Sequence, residues 1–316
     1  MELHEQFVEF EGKKIYVRER VISRENYLML WGLDIKTLSE IKGLNNLDFL
    51  EELYLHVNCL KNIDGLGNFP NLRLLNLSSN QLTELEGFEN FPNLRKLDLS
   101  GNKLSKVNGL EILKDLEELN LEFNQFESIP YLGRLEKLKR LCIGANEITE
   151  ITNLEAVPNL EFLFLESCHD GVGNKIVEIR GLEKLKKLKM LRVSNNKISE
   201  IKGLDSLINL DELKLTHNRI SKIEGLERLK NLRSLDLSEN NISEVEGIHN
   251  LMNLTGLNLI GNNISDIDFN KFPPNLKSID IYRNPLPSKV IKELENNKWT
   301  DLYFIKKHKE LLDKDI

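Results

Sequence analysis

Cysteine, long apolar runs and excess positive charge are all scarce in this sequence. The three cysteines (Cys59, Cys142, Cys168) are an odd, sparse set that builds no disulfide framework. No run of about 18 apolar residues occurs, so no membrane-spanning helix is expected. Lys and Arg number 43 against 50 Asp and Glu, giving a formal net charge of −7. That balance argues against nucleic acid, whose phosphates demand a basic patch, and against an anionic membrane surface. The opening Met1-Glu2-Leu3-His4-Glu5-Gln6 has neither the basic nor the apolar stretch of a signal peptide. The expectation is a cytoplasmic, acidic, globular protein.

What the chain has in abundance is leucine at a fixed period. Apolar residues make up 40% of the 316 and suffice for a large core. From Leu28 to Asn275 the chain repeats L-x-x-L-x-L-x-x-N-x-I-x-x-I-x-G-L-x-x-L-x-x every 22 residues, with six extra residues in the seventh unit. Leu72, Leu75, Leu77, Asn80, Leu82, Leu85, Gly87, Phe88 and Phe91 form one clean copy. Units start at Leu28, Leu50, Leu72 and onward to a twelfth, partial unit at Leu276. Such a period signals a solenoid of leucine-rich repeats.

The spacing dictates the geometry of a coil. The L-x-L pair has period two, so each unit carries a short strand with its leucines inward. Stacked units align these strands in parallel about 4.8 Å apart. The Asn column, Asn58 through Asn284, supplies amides that satisfy backbone groups where the chain leaves the strand, and Lys36 interrupts it in the first unit. Glycine holds the later turn in eight units and is replaced by Tyr131 and Asn153 in two others. The short G-L-x-x-L segments predict 3-10 or extended turns on the convex side. The fold class is therefore an α/β-type solenoid, a horseshoe with a parallel concave sheet.

Exposed solenoid ends need covers. Phe7-Val8-Glu9-Phe10 and Ile15-Tyr16-Val17 flank Glu11-Gly12 and predict a β-hairpin; a helix is predicted over 288–297. The expected organisation is an N-terminal hairpin cap at 1–27, a solenoid at 28–287 with a six-residue insertion near 168–173, and a helical cap at 288–316.

The unit with its I-x-x-I-x-G-L-x-x-L half resembles the leucine-rich repeats of the type-1 protein phosphatase regulatory subunit. Similar units occur in the leucine-rich axonemal dynein light chain and in bacterial internalins. The resemblance covers about residues 28–287 and implies a non-catalytic scaffold that binds a protein through aromatic and acidic side chains on its concave strands.

Chemistry at Cys168-His169-Asp170 is the competing idea. Three consecutive residues do not adopt the geometry of a nucleophilic triad, and Gly171-Val172-Gly173 lacks the G-K-[ST] of a phosphate loop. A metal- or redox-responsive site at Cys168 and His169, joined by Cys142, fits no standard ligand spacing. No cofactor, metal or catalytic residue is assigned.

The concave surface remains. Its expected positions, the third, fifth, seventh and eighth of each unit, hold ten acids, among them Asp34, Glu52, Glu122 and Glu166, and five bases: Lys96, Arg140, Arg192, Lys214 and Arg283. Such a face steers a basic partner. Phe123, Phe162 and Phe164 stand on it with Met190, as apolar anchors exposed to solvent. Glu122 and Glu166 would receive basic groups, and Arg140 and Arg192 would fix the register. A second apolar group is Leu30, Tyr54, Val57 and Leu74. The function expected is a monomeric interaction scaffold for a protein with a basic patch, such as a phosphatase; a cytoskeletal or assembly adaptor is the alternative.

Overall fold

The structure, a computed structural model, describes residues 6–19, 25–167 and 172–296. The chain divides into two compact units, residues 1–147 and 148–316.

The first unit opens with the hairpin. Strands β1 (Phe7–Phe10) and β2 (Lys13–Tyr16) pair antiparallel with Phe7 opposite Tyr16. Glu11 and Gly12 turn between them with positive φ, as a tight hairpin requires. Glu9 and Lys42 exchange backbone hydrogen bonds of 3.0 and 2.9 Å, which ties the hairpin to the first coil. β3 (Arg18–Glu19) then runs antiparallel to β4 (Asn26–Met29). From β4 the sheet is parallel through β5 (Glu52–Tyr54), β6 (Leu74–Asn76), β7 (Lys96–Asp98), β8 (Glu118–Asn120) and β9 (Arg140–Cys142). In each strand the central leucine faces the core and its neighbours face outward, as period two dictates.

The first coil departs from the expected register. Leu28 pairs with Leu53, and the Leu30 amide donates to the Tyr54 carbonyl, as Leu55 does to Asn76. Leu28 is therefore the fourth residue of its unit, whereas the sequence pattern made it the first. Three additional residues are taken up after Ile35, in a turn that includes a 3-10 segment at Leu38–Glu40. Leu33, not Lys36, occupies the Asn-column position, and its amide and that of Ile35 both donate to Asn58 Oδ1 at 3.1 Å. Leu30 is consequently buried core, and Asp34 leaves the face.

The second unit carries six parallel strands: β10 (Phe162–Phe164), β11 (Met190–Arg192), β12 (Glu212–Lys214), β13 (Ser234–Asp236), β14 (Gly256–Asn258) and β15 (Ser278–Asp280). Helix α1 (Ser288–Asn296) follows and buries Val290, Ile291 and Leu294. The enlarged coil rejoins the pattern at Asn174, which donates to the Leu165 carbonyl at 2.8 Å although nine residues separate them. Of the insertion, 168–171 lie outside the described residues, as does the tail beyond 296.

The Asn column behaves as its chemistry demands. Asn80 is buried; its Nδ2 donates to Leu77, Ser78 and, in the preceding coil, Leu55, while its Oδ1 accepts from Leu60. One amide thereby serves four backbone groups that would otherwise be stranded. The residue before it is left-handed, as at Val57, Phe123 and His217. Where glycine fails in the later turn the backbone compensates. Asn153 itself adopts φ 61°, and beside Tyr131 the left-handed residue is Gly133. Those two departures are therefore accommodated by turn geometry.

Candidate functional site: the outward face of the parallel strands

In the first unit, β4 and β5 place Met29 beside Tyr54 on the outward face. Just beyond them Trp31 stacks on His56, with ring centroids 5.8 Å apart and planes 5° from parallel. Tyr54 meets His56 edge-on at 6.1 Å, and its hydroxyl donates to the buried Glu52 carboxylate at 2.9 Å. Burial lowers the His56 pKa below the ordinary imidazole value, and the Asp98 carboxylate opposes that shift. Its Nδ1 is buried without a hydrogen-bond partner among the described residues. Val57 is exposed at φ 56°. Of this group sequence reasoning found Tyr54, Val57 and Leu74 but missed Met29, Trp31 and His56. The register of the first coil hid Met29 and Trp31, which lie on the face only if Leu28 is a fourth residue.

Farther along this unit Phe123 is half-buried at a left-handed position. Glu122 beside it is 2% exposed, so its carboxylate is not presented to solvent as expected. Arg140 is half-buried on β9, and Cys142 is buried. Lys96 pairs with Glu118 at 2.8 Å.

In the second unit Phe162 and Met190 are register partners on β10 and β11, both half-buried. They border a groove of about 570 Å³ along the strand entrances, where Glu161, Lys189, Asp211 and Arg233 also stand. Lys189 pairs with Glu161 at 2.6 Å and Arg233 with Asp211 at 3.4 Å. Asn209, Asn231 and Asn253 complete the wall, each donating at 2.8 Å to a carbonyl of the preceding coil. They belong to a second amide ladder, with Asn71 and Asn93 in the first unit, that sequence reasoning overlooked. Its signal is an Asn just before the first leucine of a unit, recurring every 22 residues.

Two expectations for this unit are corrected. Phe164 is 3% exposed, because the Arg192 guanidinium lies 5.0 Å above its ring. Arg192 is itself held by Glu212 Oε1, at 3.0 Å from Nε and 2.9 Å from a terminal nitrogen. Phe164 is thus packed under a cation, not offered to solvent. Glu166 is buried and accepts the Ser194 amide at 2.7 Å, so it caps backbone instead of awaiting a basic group.

Among the described residues no three His, Cys, Asp or Glu side chains are grouped to hold a metal. Cys168, His169 and Asp170 lie outside the described residues. No helix among the described residues is long and apolar enough to cross a membrane.

Comparison with protein families matches leucine-rich repeats (two copies) over residues 48–90, 70–112, 92–134, 186–228, 208–248 and 230–272. A search of the curated proteins found no match. Among solved structures, an internalin of Listeria monocytogenes is 28% identical over 87% of this chain and 79% of its own, with a TM-score of 0.75. A leucine-rich repeat protein of Leptospira interrogans is 28% identical over 87% and 77%, with a TM-score of 0.69. A chain in the octameric complex of latrophilin 3, Unc5D and FLRT2 shares the fold at 22% identity, over 78% and 80%, with a TM-score of 0.64.

Proposed function

The chain belongs to the leucine-rich repeat family, and on that footing we propose that it is a non-catalytic scaffold holding a protein partner on the outward face of its strands. Leucine-rich repeat folds are generally protein–protein interaction scaffolds. The observation that carries the reading is the placement of large apolar side chains, Trp31 and Met29 in one unit, Phe162 and Met190 in the other, on outward positions that the core does not require. With Asp34 off the face and Glu52, Glu122 and Glu166 buried, six acids (Asp98, Glu118, Glu212, Asp236, Glu239 and Asp280) stand with five bases, and this small acidic excess favours a partner with a basic patch. The same acidic excess disfavours nucleic acid.

The finer assignment rests on the I-x-x-I-x-G-L half of the repeat. We infer from it that the partner is a phosphatase of type 1 and the chain its regulatory subunit. The sparse cysteines, with Cys59 a free thiol, favour a reducing compartment, hence the cytoplasm, where the protein acts as a monomer until it meets its partner. The test is affinity capture with wild type beside Phe162→Ala and Phe123→Ala, the captured protein being identified and its affinity measured after purification. Loss of about 30-fold in affinity with an unchanged melting temperature supports the reading. Unchanged affinity across both variants and Trp31→Ala removes the face from consideration.

A further inference from the structure

Asn108-Gly109 is the one Asn-Gly pair in the sequence. The carboxamide of an asparagine is electrophilic at Cγ, and the amide nitrogen of the following residue can close a five-membered ring on it. Two obstacles ordinarily stop this. A side chain on the following residue hinders the approach, and hydrogen bonds hold the two reacting groups elsewhere. Glycine removes the first obstacle, and the fold removes the second.

Asn102, in the same coil, shows the protected case. Its Nδ2 donates to the Leu77, Leu99 and Ser100 carbonyls, and its Oδ1 accepts the Leu82 amide. The amide that follows it, Lys103, donates to the Leu82 carbonyl at 2.9 Å. Both reacting groups are spent. Asn108 is the opposite: it is exposed, and neither its carboxamide nor the Gly109 amide has a hydrogen-bond partner among the described residues. Asn62 and Asn90 stand on the same flank but are restrained. Asn62 Oδ1 accepts the Asp64 amide at 3.2 Å, and the amide after Asn90, Phe91, donates to the Phe88 carbonyl at 3.0 Å.

The turn also has room. Gly109 lies at φ 81° ahead of the 3-10 segment Leu110–Ile112, and a Cβ there would meet nothing nearer than the Phe88 ring at 3.5 Å. Asn108 and Gly109 line a groove of about 590 Å³ together with Asp64, Glu86 and Glu89.

We propose that Asn108-Gly109 is a self-modification site, at which asparagine becomes aspartate and isoaspartate. The Gly109 nitrogen bonds to Asn108 Cγ, the Cγ–Nδ2 bond breaks, and ammonia leaves with the amide proton. Water then opens the cyclic imide at either carbonyl. Opening at Cγ gives aspartate; opening at the former backbone carbonyl gives isoaspartate, with the chain rerouted through the side chain. Water is the only co-reactant. Either product adds a negative charge to the groove that holds Glu86 and Glu89. Isoaspartate also lengthens the backbone by one methylene just before buried Leu110, which loosens the turn. The site lies behind the sheet and does not depend on the scaffold reading.

The test is incubation of the folded full chain in heavy-oxygen water at neutral pH, beside a capped hexapeptide of residues 106–111, followed by peptide mapping. Conversion at Asn108 is expected within about a hundredfold of the peptide's rate, whereas a route through global unfolding would lag by more than about a thousandfold. The product is a mixture of isoaspartate and aspartate carrying heavy oxygen, and Asn62, Asn90 and Asn102 stay intact. Asn108→Gln, whose ring would be one atom larger, takes up no heavy oxygen there and keeps the unfolding midpoint. Conversion slower than that bound, aspartate without isoaspartate, or equal conversion at Asn62 or Asn90 overturns the site.

Discussion

In residues 1–147 the turns behind the sheet are wound as 3-10 segments at Leu44–Asn46, Phe88–Asn90 and Leu110–Ile112, around fully buried Phe69, Phe88 and Phe91. In residues 148–316 one such segment occurs among the described residues, Phe269–Lys271, and the regular coils instead make successive single turns around buried Val157, Leu185 and Leu207, whose amides donate to Leu154, Leu182 and Leu204. The consequence shows at the glycine turns. A Cβ added at Gly109 would find its nearest contact at 3.5 Å, on the Phe88 ring, whereas at Gly225 it would lie 2.2 Å from the Ile201 carbonyl oxygen. At Gly109 the nearest neighbour is an aromatic ring, whereas at Gly225 backbone meets backbone. The outward faces differ in a parallel way. The first unit leaves aromatics standing in solvent at Trp31, while the second folds Phe164 beneath Arg192. The same repeat thus accepts two packings of the turn behind the sheet.

The largest effect that would break this comparison lies in the glycines. Both have positive φ, so alanine at either position loses about 1–2 kcal/mol to the backbone. Gly225→Ala adds overlap with a carbonyl that cannot rotate away, for a total of about 3 kcal/mol, against about 1 kcal/mol for Gly109→Ala. Urea unfolding of the two variants measures the difference, and equal losses would mean that the two units are packed alike.

Next in size is the contrast between the faces. Phe164→Ala removes a buried ring and its cation partner and should cost about 2–3 kcal/mol. Trp31→Ala removes a half-exposed ring and should stay within about 0.5 kcal/mol. Thermal unfolding separates them; a costly Trp31→Ala would make the stack with His56 structural.

The smallest effect is electrostatic. Burial lowers the His56 pKa, so the unfolded chain binds the proton more readily than the folded one. Stability from this group is complete above the ordinary imidazole value of about 6.5 and is lost as the pH falls through the lowered folded value. Nuclear magnetic resonance titration should place the ring below 6.5, and lower still in Asp98→Asn, since the carboxylate holds the pKa up. A rise in Asp98→Asn would reverse the account of the charge around His56.

Much of this was legible in the residues. A period of 22 fixes which side chains face inward, and the buried leucines, the Asn column and the left-handed glycines follow from it. The first coil was not, because Leu28, Leu30 and Leu33 also fit a pattern displaced by three positions, and only pairing with Leu53 decides between them. The fate of Phe164 was hidden for another reason. Its outward position is correct for β10, but its burial depends on an arginine 28 residues away that is itself steered by Glu212. Glu166 is similar: its buried carboxylate is spent on the Ser194 amide, a contact between coils that no spacing within one unit reveals.

The most direct test of the claim that partners dock on the outward strand face is oxidative footprinting of the captured complex against the free protein. Met29, Trp31 and Met190 report on the face, whereas Met252 and Tyr131, exposed at 51% and 68% off the strands, report on the rest of the surface. The account predicts that oxidation of at least one face group, Met29 with Trp31 or Met190, falls on binding while Met252 and Tyr131 are unchanged. Protection of Met252 or Tyr131 with the face residues still fully reactive would contradict it.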